Sequence, residues 1–168
     1  MEIRIAGRVN DSIVDGPGLR YTVFTQGCQH NCPGCHNPQT HSLSGGKLIA
    51  IDEIINEIKS NPLLSGVTLS GGEPFLQIPE ILTLIKEIKA LNLDIIIYSG
   101  YTFEELLEMH NPQVDEILYL SNYLIDGRFI LNQRSLDLLF RGSKNQRIID
   151  LQKSYKESRI IETDFNDY

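Results

Sequence analysis

Val67 to Ser99 reads VTLSGGEPFLQIPEILTLIKEIKALNLDIIIYS. The stretch begins with one short run, Val67 to Ser70, and ends with another, Asp94 to Ser99, each of strand length and rich in β-branched residues. Between them Pro79 opens a segment that carries Ile81, Leu82, Ile85 and Ile88 on one helical face. Strand, helix and strand in this order predict a βαβ unit, whose two strands lie parallel because the crossover helix returns the chain to the same end of the sheet.

Outward from this unit the alternation continues. Leu19 to Thr25, Tyr123 to Asp126 and Arg147 to Asp150 are further predicted strands, which brings the number to five. Asp52 is predicted to cap a helix bearing Ile54, Ile55 and Ile58, ended by Asn61-Pro62, and Thr102 with Glu105 forms a capping box for Phe103 to Met109. The class is α/β, with about five to six mainly parallel strands at ~30 residues per unit. The 168 residues are expected to form a single domain, 1–168. They are too few for a closed eightfold barrel of about 250 residues, so an open partial barrel and a doubly wound sheet both fit. In either, ligands gather at the C-terminal ends of the strands.

With 41% hydrophobic and 22% charged residues the composition is that of an ordinary globular protein. No apolar stretch approaches the ~20 residues of a membrane span, and Met1 to Asn10 lacks the apolar core of a signal peptide, so a cytoplasmic protein without a membrane partner is expected. A net charge of -7 argues against nucleic acid as a partner. The charge is uneven: residues 1–127 carry -9 and 128–168 carry +2.

Three cysteines, all between Cys28 and Cys35, are too few and too close for a disulfide framework. The predicted strand Leu19 to Thr25 runs into Gly27-Cys28-Gln29-His30-Asn31-Cys32-Pro33-Gly34-Cys35-His36-Asn37-Pro38. Short spacers on a loop punctuated by Gly and Pro let three thiolates turn toward one metal centre. Zinc would take a fourth ligand, from His30 or His36. A cubane iron-sulfur cluster normally takes four thiolates, so three would leave one iron open. Spacing alone leaves both readings standing.

The strand Val67 to Ser70 ends in Gly71-Gly72-Glu73-Pro74. Paired glycines permit a close backbone approach to a ligand, and Glu73 offers an acceptor, although a tight strand-to-helix turn has the same composition. The Cys-x3-Cys-x2-Cys loop followed by Gly-Gly-Glu-Pro resembles the radical S-adenosylmethionine enzymes. Asp15-Gly16-Pro17-Gly18-Leu19-Arg20, leading through Phe24 to Gly27-Cys28, and then Cys35-His36-Asn37, resemble the glycyl-radical-enzyme activases within them. Ser99-Gly100-Tyr101, Asp126-Gly127-Arg128-Phe129 and Phe140 to Gln146 are similar to the branch that serves anaerobic ribonucleoside-triphosphate reductase.

The resemblance implies an open partial (βα) barrel of the radical S-adenosylmethionine type. It implies that Cys28, Cys32 and Cys35 hold one 4Fe-4S cluster, whose fourth iron is left for the amine and carboxylate of S-adenosylmethionine. Gly71, Gly72 and Glu73 would seat the methionine moiety, with Pro74 stiffening the turn. Gly34 stands where the wider superfamily often has an aromatic residue, so adenine contacts are expected from the backbone around Gly34 and Cys35 and from His36. Reductive cleavage of S-adenosylmethionine would yield a 5'-deoxyadenosyl radical that takes a hydrogen from the Cα of a glycine on a loop of the reductase. No side chain is required as a general base. The implied electron donor is flavodoxin-like. Activation of another glycyl radical enzyme such as pyruvate formate-lyase is the second reading, and a small zinc-binding interaction module the third.

Several residues have plainer alternatives. Asp126 could bind a cation or the cofactor, or form a turn with Gly127. Asp15 and Arg20 could meet the partner's glycine loop, or belong to a structural turn. His41 and His110 are expected on the surface, and Tyr98, Tyr101 and Tyr119 are expected to pack. Arg141, Lys144 and Arg147 are expected to line the docking face.

Overall fold

The computed structural model describes residues 1–166 and 168. Its strands are β1 Glu2–Ser12, β2 Arg20–Thr25, β3 Lys47–Ala50, β4 Gly66–Gly71, β5 Asp94–Tyr98, β6 Tyr123–Asp126 and β7 Arg147–Asp150. Its helices are α1 Ile51–Lys59, α2 Ile78–Lys89, α3 Phe103–Glu108, α4 Pro112–Leu120 and α5 Leu151–Glu157. All seven strands form one sheet in the order β3-β1-β2-β4-β5-β6-β7. The βαβ unit read from Val67 to Ser99 is present as β4, α2 and β5, with Val67 opposite Ile95 and Leu69 opposite Ile97 in parallel register.

Parallel pairing extends from β2 through β4 and β5 to β6. Antiparallel strands flank this centre, β1 with β3 on one side and β7 on the other. β1 and β3 were not among the five strands read from sequence. In β1 the apolar alternation covers only Ile3 and Ile5 before Arg8, Asn10 and Asp11 break it, and in β3 no residue is buried. Their backbone pairing with each other and with β2, rather than an apolar face, makes them strands.

Alternation within the central strands sorts the side chains onto two faces. Tyr21, Val23, Val67, Leu69, Ile95, Ile97 and Leu124 enter one large core with Ile54 and Ile58 of α1, Ile81 and Ile85 of α2, and Val114 and Ile117 of α4. The opposite face carries Ile96, Ile125 and Ile148, packed against Phe140 and Phe165 from irregular C-terminal segments. With helices on one face only, the sheet is an open partial barrel rather than a doubly wound one. Helix starts follow local chemistry. The Thr102–Glu105 capping box is formed at α3, whereas α1 opens one residue before Asp52, which sits in its first turn beside Glu53 and favours the positive end of the helix without capping it.

Arg20 is fully buried at the start of β2. It donates to Thr68 Oγ1 at 2.8 Å, Val67 O at 3.0 Å and Pro17 O at 3.1 Å, and pairs with Asp94. Thr68 Oγ1 in turn donates to Asp15 O at 2.8 Å. Arg20 therefore straps the Asp15–Gly18 turn across the inner face of the sheet. The expectation that it meets a partner's loop is corrected, because its guanidinium is enclosed and bonded within the protein.

Candidate functional site

The loops that leave the C-terminal ends of β2, β4, β5 and β6 enclose a cavity of about 750 Å³, within the usual size range of small-molecule sites. Cys28, Cys32 and Cys35 line it together, facing Gly71 and Gly72 from the end of β4 and Ser99 and Gly100 from the end of β5. The turn after β1, including Asp15, closes another side.

Backbone bonds hold the cysteine loop. Gly27 N donates to Thr40 O at 2.7 Å, Cys28 N to His41 O at 3.2 Å, and Cys35 N to Cys32 O at 3.1 Å. All three thiols are free and half-buried. Burial pushes the Cys28 thiol above its ordinary range, and the charges of Glu73, Cys32 and Cys35 push it the same way. Three thiolates beside a carboxylate repel one another unless a cationic centre neutralises them, and iron is such a centre. Three thiols on one loop are the donor type an iron-sulfur cluster takes, although among the described residues no three His, Cys, Asp or Glu side chains are gathered closely enough to hold a single metal ion.

Glu73 is 1% exposed and is the most heavily bonded group nearby. It accepts from Ser99 Oγ at 3.0 Å, Gly100 N at 2.8 Å and Phe75 N at 3.0 Å, and its Oε1 lies 2.7 Å from His30 Nε2. Both of its oxygens accept hydrogen bonds from the protein. Its effect is to bind the cysteine loop to the ends of β4 and β5. His30, weighed from sequence as a fourth metal ligand, is the other half of this contact and also packs edge-on against Tyr101 at 4.6 Å. Sequence reasoning missed Ser99 in this role, although its place at the end of a predicted strand was a signal.

Gly72 is required for packing. A Cβ there would strike Gly27 O, immediately before Cys28, and come within 2.9 Å of Thr40 O. Pro74 starts the 3-10 turn Pro74–Leu76 and is buried. Gly34 has φ +75°, and a Cβ on it would meet Leu131 at 2.7 Å, so the loop carrying Ile130 and Leu131 closes over this point. His36 lines the cavity and packs on Phe129 at 5.0 Å.

A family model described as a 4Fe-4S single cluster domain matches residues 14–149. The chain is 36% identical over 148 residues to the anaerobic ribonucleoside-triphosphate reductase-activating protein of Escherichia coli (strain K12), covering 83% of this chain and 94% of that one. The chain belongs to the anaerobic ribonucleoside-triphosphate reductase-activating protein family. A pyruvate formate-lyase-activating enzyme of Staphylococcus epidermidis is 35% identical over 153 residues, 87% of this chain but 60% of that longer one. QueE from Escherichia coli shares the fold at a TM-score of 0.50 and 12% identity, over 75% of this chain and 71% of that one. As a member of the activating-protein family the chain carries an iron-sulfur cluster domain, and the zinc module is set aside. Among the described residues, no helix is long and apolar enough to cross a membrane.

Other expected positions of this activating-protein homologue resolve structurally. Asp126 is buried, accepting from Phe103 N at 2.8 Å and from Arg147 Nε at 3.1 Å and Nη2 at 2.5 Å. It anchors α3 and is not open to a cation. Arg147 is held protonated by Asp126 and Glu104, Lys144 is exposed, and Arg141 lines the cavity. Asp15 accepts from Ser12 Oγ at 2.5 Å. His110 is exposed and His41 half-buried at the cavity. Tyr98 donates to Phe140 O at 2.8 Å, and burial drives its phenol far above the ordinary range. Tyr101 sits against His30, while Tyr119 is exposed and touches the Tyr155 ring edge-on.

Proposed function

We propose that this protein activates an anaerobic ribonucleoside-triphosphate reductase by installing its glycyl radical, as one unit over residues 1–168 acting in the cytoplasm. Cys28, Cys32 and Cys35 would hold three irons of a 4Fe-4S cluster. The observation that carries this reading is that these three free thiols line one cavity with Gly71 and Gly72, while His30, one of the two histidines that could supply a fourth ligand, is engaged by Glu73. The chemistry supplied by the bound pair is reductive cleavage of S-adenosylmethionine, giving methionine and a 5'-deoxyadenosyl radical that takes a hydrogen from a glycine Cα of the reductase.

The chain's own residues bind and orient. Gly71, Gly72 and Glu73 would seat the methionine moiety, with Pro74 stiffening the turn. Gly34, Cys35 and His36 would border the adenine, where His36 and Phe129 offer ring surfaces. The half-enclosed cavity limits water around a reactive species. No proton transfer by a side chain is needed. The glycine-bearing loop of the reductase would enter through the mouth, and a flavodoxin-like protein would deliver the electron.

Anaerobic reconstitution should give about four irons per chain, as cubane ligation requires. Electron paramagnetic resonance of the reduced protein should change when S-adenosylmethionine is added, and incubation with the reductase should produce a glycyl radical signal. A cluster spectrum indifferent to S-adenosylmethionine would overturn the reading. A radical formed on pyruvate formate-lyase and not on the reductase would favour the relative from Staphylococcus epidermidis as the functional guide.

A further inference from the structure

Exposed apolar side chains gather at the cavity. Ile13 and Val14 line it and are largely exposed, and beside it Leu136 is 85% and Leu139 69% exposed. Singly exposed leucines are ordinary on a protein surface, but two within four residues on a fixed support mark a surface that another molecule covers.

The segment that carries Leu136 and Leu139 is an arm with a closed neck. Arg134 and Ser143 form an antiparallel bridge, Ser135 N donates to Gly142 O at 3.3 Å, and Lys144 N donates to Gln133 O at 2.9 Å. Gln146 Oε1 accepts from Gly142 N at 2.8 Å and Ser143 N at 3.1 Å. Within the arm Phe140 is held at φ +64°, packs on Phe165 at 5.7 Å and has its carbonyl fixed by the Tyr98 hydroxyl at 2.8 Å. Phe140 thus pins the arm to the protein while the two leucines stay in solvent. Phe140, Arg141 and Gly142 line the cavity and the leucines do not, so they belong to the same arm but lie outside the cavity. A support held in this way loses little freedom when a partner settles on it.

We infer that Leu136 and Leu139 are a docking contact for the reductase, gripping an apolar patch of its surface next to the segment whose backbone enters the cavity. This rests on the proposed function, in which the reductase is the partner. A hydrogen atom passes only between groups in contact, so the reductase must bring its glycine into the cavity and its neighbouring surface against the arm. An electron donor has no such need, because an electron crosses a protein wall that a hydrogen atom cannot. A second copy of this chain seated on the arm would crowd the mouth that the reductase has to enter.

The test follows glycyl radical formation by cluster-loaded protein as the reductase concentration is varied, with cleavage of S-adenosylmethionine in the absence of reductase measured alongside. Leu136→Ser combined with Leu139→Ser should raise the reductase concentration for half-maximal radical formation about tenfold or more, the scale of two apolar side chains left uncovered, while the maximal rate stays within about twofold. Cleavage without reductase should not change. The shift should persist at raised ionic strength, because an apolar contact is not screened. Leu63→Ser is the matched control: Leu63 is 76% exposed just before β4, at the end of the sheet away from the cavity, and its replacement should leave the half-maximal concentration unchanged. An unshifted value in the double variant, or an equal shift in the Leu63 variant, would overturn the assignment. So would slower reduction by a flavodoxin-like donor, or weaker self-association, at an unshifted reductase dependence, which would give the arm to the donor or to a second copy. Wild-type protein that forms no radical on the reductase would instead overturn the proposed function itself, and this inference with it.

Discussion

His30 Nε2 lies 2.7 Å from Glu73 Oε1, and through this contact the loop between Cys28 and Cys32 is bound to the end of β4. The same carboxylate collects Ser99 and Gly100 from the end of β5. Three loops that could move independently thus share one buried acceptor. Glu73→Ala would leave several buried donors unmet and should lower the stability of the iron-free protein by about 3 kcal/mol or more, read by urea unfolding. Glu73→Gln, which keeps one acceptor oxygen, should cost less. If Glu73 served only a bound cofactor, iron-free stability would not change.

The cysteine loop was legible as a candidate metal site because its three thiols are local in sequence, and the βαβ unit because Ile81, Leu82, Ile85 and Ile88 repeat at helical spacing over a full element. Helix α4 was readable too but passed over: Asn111 caps it, Pro112 starts it, and Val114, Ile117 and Leu118 form its buried face. The buried contacts of Arg20 and Glu73 were not legible in the sequence, for a common reason. A charged residue reads as exposed or ligand-facing until its partners are known, and those partners lie 74 residues away at Asp94 and 26 away at Ser99. Only the folded sheet brings them together.

Cys32→Ala removes one half-exposed thiol from a loop held mainly by backbone bonds. The iron-free fold should change by less than about 1 kcal/mol, as for most substitutions outside a packed core. Iron content should fall well below that of the wild type, and cleavage of S-adenosylmethionine to 5'-deoxyadenosine, followed by chromatography, should be undetectable. Cleavage at the wild-type rate would mean that the ligands have been misassigned.

Gly72→Ala places a methyl group against Gly27 O and Thr40 O, both backbone atoms that cannot rotate away. The turn must separate from the cysteine loop, at a cost of about 1 to 3 kcal/mol. Gly7→Ala, where a Cβ meets nothing within 4 Å, is the matched control and should stay within about 0.5 kcal/mol of wild type. Thermal unfolding checks both, and iron retention should fall only in the Gly72 variant.

Arg147 offers a test of whether Asp126 is structural. Arg147→Met would strand a buried carboxylate whose remaining described donor is Phe103 N, and should destabilise the fold by about 2 to 4 kcal/mol, less than a fully enclosed pair because Arg147 is partly exposed. Asp126→Asn in the Arg147→Met background should restore part of the loss in urea unfolding, since the amide removes the stranded charge. If Asp126 instead served as a cation site, the double variant would show no such recovery.

Glu105 gives the fold a measurable dependence on pH. Its carboxyl is held below the ordinary range, first by the Thr102 backbone N–H of the capping box and next by Arg128. A depressed value in the folded state means that the ionised form is favoured by folding, so this contribution is fully present above the ordinary carboxylate value and is lost as pH falls through the lower, folded one. Glu105→Gln keeps an acceptor for Thr102 but loses the charge. The stability difference between wild type and variant should therefore be constant near neutrality, shrink through the acid range and vanish below it. Because Glu105 and Arg128 are both substantially exposed, the difference should be only about 0.5 kcal/mol and should diminish with added salt. A difference that instead grows on acidification, in urea unfolding series at successive pH values, would show that the Arg128 pair does not stabilise the α3 terminus.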